Sequence, residues 1–251
     1  MPILEVQGLV KRFLGVTAVD RVDLAIEAGE LVSLIGPNGS GKTTLFNCVT
    51  GYLGPEAGRV VFRGREVSGT APHRIARMGL GRTFQQVSVF GRLSALENLL
   101  VSLQQHQEED LLGRLLRTPR LRRLERDALA RAHALLDLVG LGDRAEAPAG
   151  SLSYGQRKLL AFAAALMPDP DLLLLDEPAA AVNPTMINQM KDHILALHRQ
   201  GKTVLLVEHN MDVVMDISRR IVVLDHGQKI AEGPPEAVRR DPRVIEAYFG
   251  R

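Results

Sequence analysis

At 251 residues the chain can hold one large domain, or one domain with an inserted lobe. Its 45% apolar and 24% charged residues are ordinary for a globular fold, and a net charge of +2 gives bulk electrostatics no argument for nucleic acid. The single cysteine, Cys48, excludes an internal disulfide and suits a reducing compartment, while the longest apolar run, nine residues from Leu159 to Met167, is about half of what a membrane span needs.

In chain order, the opening MPILEVQGLV carries Glu5 and no basic leader, so a secretory signal is not expected. Ile3–Val10 reads as a strand, and Val22–Ile26 as another with Val22, Leu24 and Ile26 on one face. Leu31–Ile35 is a buried strand that runs straight into a glycine-rich loop and then a helix carrying Cys48, a small buried filler or a reactive thiol. Val60–Phe62 is a further short strand. From about Val87 to Met167 the pattern turns helical, with few β-branched runs. This predicts a core lobe of about 1–86 and 168–251 with a helical subdomain of about 87–167 inserted into it. Within the insert, Arg114, Arg117, Arg120, Arg122, Arg123, Arg126 and Arg131 face only Glu125 and Asp127. They form either a solvated helical face or a basic patch for lipid head groups or a membrane partner; no aromatic is interleaved for base stacking. Leu172–Leu175 and Val204–Val207 are continuous apolar runs, as in strands covered on both faces of a parallel sheet. A helix from about Pro184 to Arg199 separates them, with Ile187, Met190, Ile194 and Leu197 at helical spacing. From Gly227 onward a hairpin strand and two short helices are expected. The whole is α/β with a small antiparallel β part.

Three places carry chemistry. Gly36-Pro37-Asn38-Gly39-Ser40-Gly41-Lys42-Thr43 fits G-x-x-x-x-G-K-[ST], the phosphate loop. Its glycines let backbone N–H groups approach phosphate oxygens, and the helix that follows, through Thr44, points its positive end at the same anion. Lys42 adds a charge near the β and γ phosphates of a nucleotide such as ATP, and Thr43 offers a hydroxyl to Mg²⁺. Next, the strand Leu172–Leu175 ends in Asp176-Glu177. Taken alone such a pair is a helix cap or surface turn; beside a phosphate loop, Asp176 is a ligand for Mg²⁺ and Glu177 a base for the attacking water. Finally, His209 follows the strand Val204–Val207, either as a packed residue or as a γ-phosphate contact at the edge where ligands of parallel sheets collect.

Taken together with Gln85 in Arg82-Thr83-Phe84-Gln85-Gln86 and with Leu152-Ser153-Tyr154-Gly155-Gln156, these elements in this order resemble an ABC ATPase over essentially the whole chain. The resemblance implies a P-loop NTPase cassette that binds ATP and Mg²⁺, with Gln85 sensing metal and water and Phe13 stacking on adenine. It implies a head-to-tail pair with itself or a sister subunit, in which Ser153, Gly155 and Gln156 of one copy close over the nucleotide of the other. Tyr154 stands where relatives often have glycine, and Asn183 stands near a position where they commonly carry aspartate. Gly81–Gln85, the arginine-rich insert, Val207–Met211 and Asp241–Tyr248 look like the branched-chain amino acid importer group. That implies transmembrane permeases as partners, indirectly a solute-binding protein, no nucleic acid, and a peripheral place on the cytoplasmic face of the membrane. The alternatives are a soluble ABC ATPase in a non-transport machine, or an importer subunit for urea, amides or lipids. A P-loop kinase or a non-hydrolysing regulatory module would have no use for the LSYGQ segment or for Glu177 and His209 respectively.

Overall fold

A computed structural model describes residues 1–83, 88–104 and 119–249. The chain forms two compact units, residues 1–85 with 171–251, and residues 86–170.

The first unit is built on two sheets. An antiparallel sheet has the order β2-β1-β4-β5, from β1 (Pro2–Phe13), β2 (Val16–Glu27), β4 (Ala57–Phe62) and β5 (Arg65–Glu66). Strands β1 and β2 are longer than the apolar alternation predicts. They continue through polar residues to a two-residue turn, Leu14 and Gly15, both with positive φ, which matches strand twist. Their pairing shifts between Val6 and Leu9, where Gly8 (φ 56°) breaks the period-2 pattern and donates its N–H to Asp23 Oδ1 at 2.7 Å.

The other sheet has the order β10-β9-β3-β8-β7-β6. Its parallel strands are β3 (Leu31–Ile35), β6 (Leu80–Arg82), β7 (Leu172–Asp176), β8 (Thr203–Val207) and β9 (Arg220–Asp225), with β10 (Gln228–Gly233) antiparallel at the edge. Residues of β3, β7 and β8 are buried throughout, because both faces are covered. On one face Val32, Leu34, Leu172, Leu174, Val222 and Leu224 share a core with helix α1 (Lys42–Val49) and the antiparallel sheet. On the other, Ile35, Ile221 and Val223 pack with Val214, Val238 and Val244 from the C-terminal helices. Between β4 and β6 lies α2 (Pro72–Arg77). Cys48 is buried in the first core, and burial pushes its thiol up to about 11, so it is a filler and not a reactive group.

The second unit contains α3 (Ala95–Gln104), α4 (Pro119–Leu138) and α5 (Tyr154–Leu166). The loops that enter it are bound backbone to backbone: Ala149 N donates to Leu93 O at 2.8 Å and Gly150 N to Gly91 O at 2.9 Å. Buried Asn98 on α3 fixes the same stretch by accepting from Phe90 N and donating to Phe90 O and Ser94 O. The arginine-rich segment divides. Arg120, Arg122, Arg123 and Arg126 of α4 are exposed, whereas Arg131 is half-buried and caps the end of α5 through Leu166 O and Met167 O at 2.8 Å each. Arg114 and Arg117 lie outside the described residues.

In the first unit, α6 (Pro184–Arg199) is started by Asn183, whose side chain accepts from Met186 N at 2.9 Å, with Pro184 in the first turn. Helices α7 (Met211–Ile217), α8 (Pro235–Arg239) and α9 (Pro242–Phe249) complete it.

Candidate active site

Register assembles the site. Leu34 of β3 and Asp176 of β7 both lie opposite Val207 of β8, so three parallel strands end at one edge. The residues that follow them, from Gly36, from Glu177 and from Glu208, meet there, at the carboxyl edge where such sheets bind ligands.

The phosphate loop is shaped by its glycines. Gly36 has φ 151°, and a Cβ there would lie 2.1 Å from Leu224 O and 2.6 Å from Ser40 Oγ. Gly41, the residue before α1, has φ 101°, and a Cβ there would stand 2.2 Å from Ala18 O. Only glycine fits either place. No side chain caps α1, so its first N–H groups are available to an anion. Lys42 is buried and folds back across the loop, its Nζ donating to Gly36 O (2.8 Å), Pro37 O (2.9 Å) and Ser40 Oγ (3.3 Å). Burial lowers its pKa, and the charges of Glu177 and Asp176 oppose that shift. Asn38 and Gly39 form the loop's exposed crest, Thr43 is exposed and Thr44 half-buried. Tyr248 of α9 packs against the core beneath Ile35, and its buried phenol faces the Gly36 N–H; burial raises its pKa.

The two carboxylates differ. Asp176 ends β7, is 4% exposed, and receives Arg82 Nη2 at 3.1 Å, while its N–H donates to Thr83 Oγ1. Burial raises its pKa, and Arg82 pulls the other way. Glu177 takes a left-handed turn (φ 51°) pinned by its N–H to Val207 O at 2.9 Å. Such a backbone costs about 1–3 kcal/mol. The turn sends the side chain toward His209, whose Nε2 lies 2.6 Å from Glu177 Oε1. Glu177 is nearly buried, and His209 is 39% exposed and open to a ligand.

Glu208 and Arg82 were not singled out by their motifs. Glu208 is 2% exposed and braces both turns of the site: Oε1 accepts from Ala179 N (2.7 Å), and Oε2 from His209 N (3.1 Å) and Asn210 N (3.4 Å). Burial pushes its pKa up, with those donors opposing. Its one sequence signal is an acid directly after an apolar strand, the signal that marked Asp176. Gln85, and Gln86 beside it, lie outside the described residues. Phe13, at the tip of the β1–β2 hairpin, is 43% exposed with Lys11 Nζ 5.5 Å from its ring centre.

In the second unit, Ser153 is the N-cap of α5 in a reciprocal capping box. Its Oγ accepts from Gln156 N at 3.2 Å and Gln156 Oε1 accepts from Ser153 N at 2.9 Å. Gly155 is buried while Ser153 and Tyr154 are exposed. The Ser153 hydroxyl thus stands at an exposed helix start.

A sequence model of the ABC transporter family matches residues 19–180, which hold the phosphate loop, the LSYGQ segment and the Asp176-Glu177 pair. The chain belongs to the ABC transporter family. Residues 228–251 of the cassette further match a model described as a branched-chain amino acid ATP-binding cassette transporter. The cassette is 46% identical over 250 residues to the high-affinity branched-chain amino acid transport ATP-binding protein BraF of Pseudomonas aeruginosa, and 44% identical to LivG of Escherichia coli strain K12; each alignment covers 99% of this chain and 98% of the relative. A crystal structure of a nucleotide-free ATP-binding cassette from an ABC transporter superposes with a TM-score of 0.87 at 34% identity over 100% of both chains. A dimeric cassette in a post-hydrolysis state bound to ADP and phosphate gives 0.78 at 26% identity, over 92% of this chain and 98% of that one. The cassette is an ATP-binding ATPase of the α/β class. Among the described residues no helix is long and apolar enough to cross a membrane.

Proposed function

We propose that the cassette powers uptake of branched-chain or related amino acids. It acts at the cytoplasmic face of the membrane, paired head to tail with itself or a sister subunit, on transmembrane permeases fed by a solute-binding protein. The names of its relatives and the matched C-terminal segment support the solute class, and the dimeric relative supports the pairing.

The observation that carries the hydrolytic reading is the Glu177–His209 contact of 2.6 Å at the edge that also holds Lys42. In this reading residues 36–44 cradle the phosphates through backbone N–H groups, and Lys42 turns from its loop carbonyls toward the β and γ phosphates. Glu177 accepts the proton of the attacking water as the bond from the γ-phosphorus to the β–γ bridging oxygen breaks, and His209 holds Glu177 and the γ-phosphate in line. Ser153, Gly155 and Gln156 contact the γ-phosphate held by the opposite protomer, Phe13 stacks on adenine, and Gln85 reaches the metal and water. For Mg²⁺, the exposed Thr43 hydroxyl and the Asp176 carboxylate are the hard oxygen donors that this ion prefers. Among the described residues no three His, Cys, Asp or Glu side chains converge to hold an ion, so phosphate oxygens and water would complete the shell. When bound, Mg²⁺ supplies neutralisation of the phosphate charge.

Glu177→Gln keeps ATP binding, loses about 10²–10⁴ of turnover, and accumulates as an ATP-bound dimer on size-exclusion chromatography. Undiminished hydrolysis in that variant removes Glu177 from the base role.

A further inference from the structure

Arg82 is a buried charge that the hydrolytic cycle leaves without a task. It ends β6, directly before Thr83, and its side chain is 7% exposed. Its guanidinium is divided between two parts of the nucleotide site. Nη2 donates to Asp176 Oδ2 at 3.1 Å, while Nη1 donates to Asn47 Oδ1 and to Thr50 Oγ1 at 2.8 Å each. Asn47 belongs to α1, the helix that begins at Lys42, and Thr50 follows its last residue. The rings of Phe46 and Tyr52 lie 5.7 Å from the guanidinium carbon. The fork is thus held from several sides, and its plane cannot swing away from Asp176 without breaking bonds to α1.

A guanidinium in this position has two effects on Asp176. It fixes the aim of the carboxylate through the Nη2 bond to Oδ2 at 3.1 Å. It also sets a fixed positive charge beside any cation that approaches the same carboxylate. Glu177, the other carboxylate acting on Asp176, is turned toward His209, whose Nε2 lies 2.6 Å from Glu177 Oε1. We propose that Arg82 makes metal binding at Asp176 conditional on nucleotide. It repels a bare divalent cation, so that Mg²⁺ reaches Asp176 only when phosphate oxygens share its charge. Arg82 is in this sense a positioning residue, and the inference rests on Asp176 being the metal ligand.

The test is calorimetric, on the full chain, with Mg²⁺ alone and with ADP at stepped free Mg²⁺. Arg82→Gln removes the charge but keeps hydrogen-bonding groups; the free Mg²⁺ that half-saturates tight ADP binding should fall by about tenfold or more, and Mg²⁺ alone should bind measurably. Arg82→Lys keeps the charge and loses the fork, and should stay within about threefold of the wild-type requirement. A requirement unchanged in Arg82→Gln, or lowered equally in both variants, overturns the proposal. Should Arg82→Gln fail to fold, the wild type decides. Mg²⁺ without nucleotide should give no heat over the range that supports the ADP complex, and heat that Asp176→Asn abolishes overturns the proposal. Asp176→Asn also checks the assignment beneath it: a variant that binds ADP with wild-type Mg²⁺ dependence removes Asp176 as ligand, and the role of Arg82 falls with it.

Discussion

Two glycines of one loop should respond very differently to the same methyl group. At Gly36 an added Cβ meets Leu224 O at 2.1 Å, whereas real Cβ contacts do not fall below 3.0 Å, so β3 and β9 must part by about 0.9 Å or the loop must rotate. Neither is easy, because β3 and β9 are hydrogen-bonded neighbours and the atom in the way is backbone. Backbone strain at φ 151° adds about 1–3 kcal/mol to an overpacking cost of similar size, giving about 2–6 kcal/mol for Gly36→Ala. At Gly39 (φ 79°) nothing lies within 4 Å, and the cost is the left-handed backbone alone, about 1–2 kcal/mol. For a chain of this size that corresponds to losses of roughly 10 °C and roughly 4 °C in Tm respectively. Scanning calorimetry measures both. ADP titration should also show Gly36→Ala weakened by about tenfold or more, because Gly36 O and Pro37 O are what hold Lys42. Equal Tm losses, or a Gly36→Ala variant as stable as the wild type, would refute the steric account of the loop.

Three further outcomes follow from the same geometry. Lys42→Ala should weaken ATP and ADP binding itself, not merely slow turnover, and unchanged nucleotide affinity by titration would count against the cradle. Ser153→Ala removes the cap of α5 and should cost about 1 kcal/mol, seen as a Tm lower by about 2–4 °C, while ATP-driven dimer formation falls far more steeply. Glu208 has its pKa raised from the ordinary 4.5, so the folded chain holds that proton more tightly than the unfolded one. Its contribution is therefore most favourable below about pH 4.5 and is lost as pH rises through the folded value. The stability of the wild type relative to Glu208→Gln should fall over that window and then level off; a difference that grows with pH contradicts the shift.

The sequence makes the chemistry at the ends of β3, β7 and β8 legible, because a buried strand announces itself by unbroken apolar residues and whatever polar group follows must stand at the sheet edge. Asp176, Glu177 and His209 are read that way, and Leu34, Asp176 and Val207 do align. What local pattern leaves out is pairing across the chain. Arg82 and Asp176 are 94 residues apart and meet through the register of β6 on β7, Arg82 opposite Leu174. Glu208 looks like any acid after a strand until the Ala179 turn is folded onto it. Arg131 sits in an arginine-rich run, and only the packing of α4 on α5 gives it a capping role that its exposed neighbours lack. The long β1–β2 hairpin is hidden because Gly8 shifts the register and spoils the alternation.

The backbone bonds Ala149–Leu93 and Gly150–Gly91 have a mechanical consequence. The stretch from Gly91 to Leu93 is tied to Ala149 and Gly150 by main-chain atoms, so these two bonds have no rotatable side chain in them. A displacement of Gly91 would pull on Gly150, three residues before the α5 cap Ser153, as through a short lever. A Cβ on Gly150, 2.9 Å from Gly91 O, would pry that lever apart.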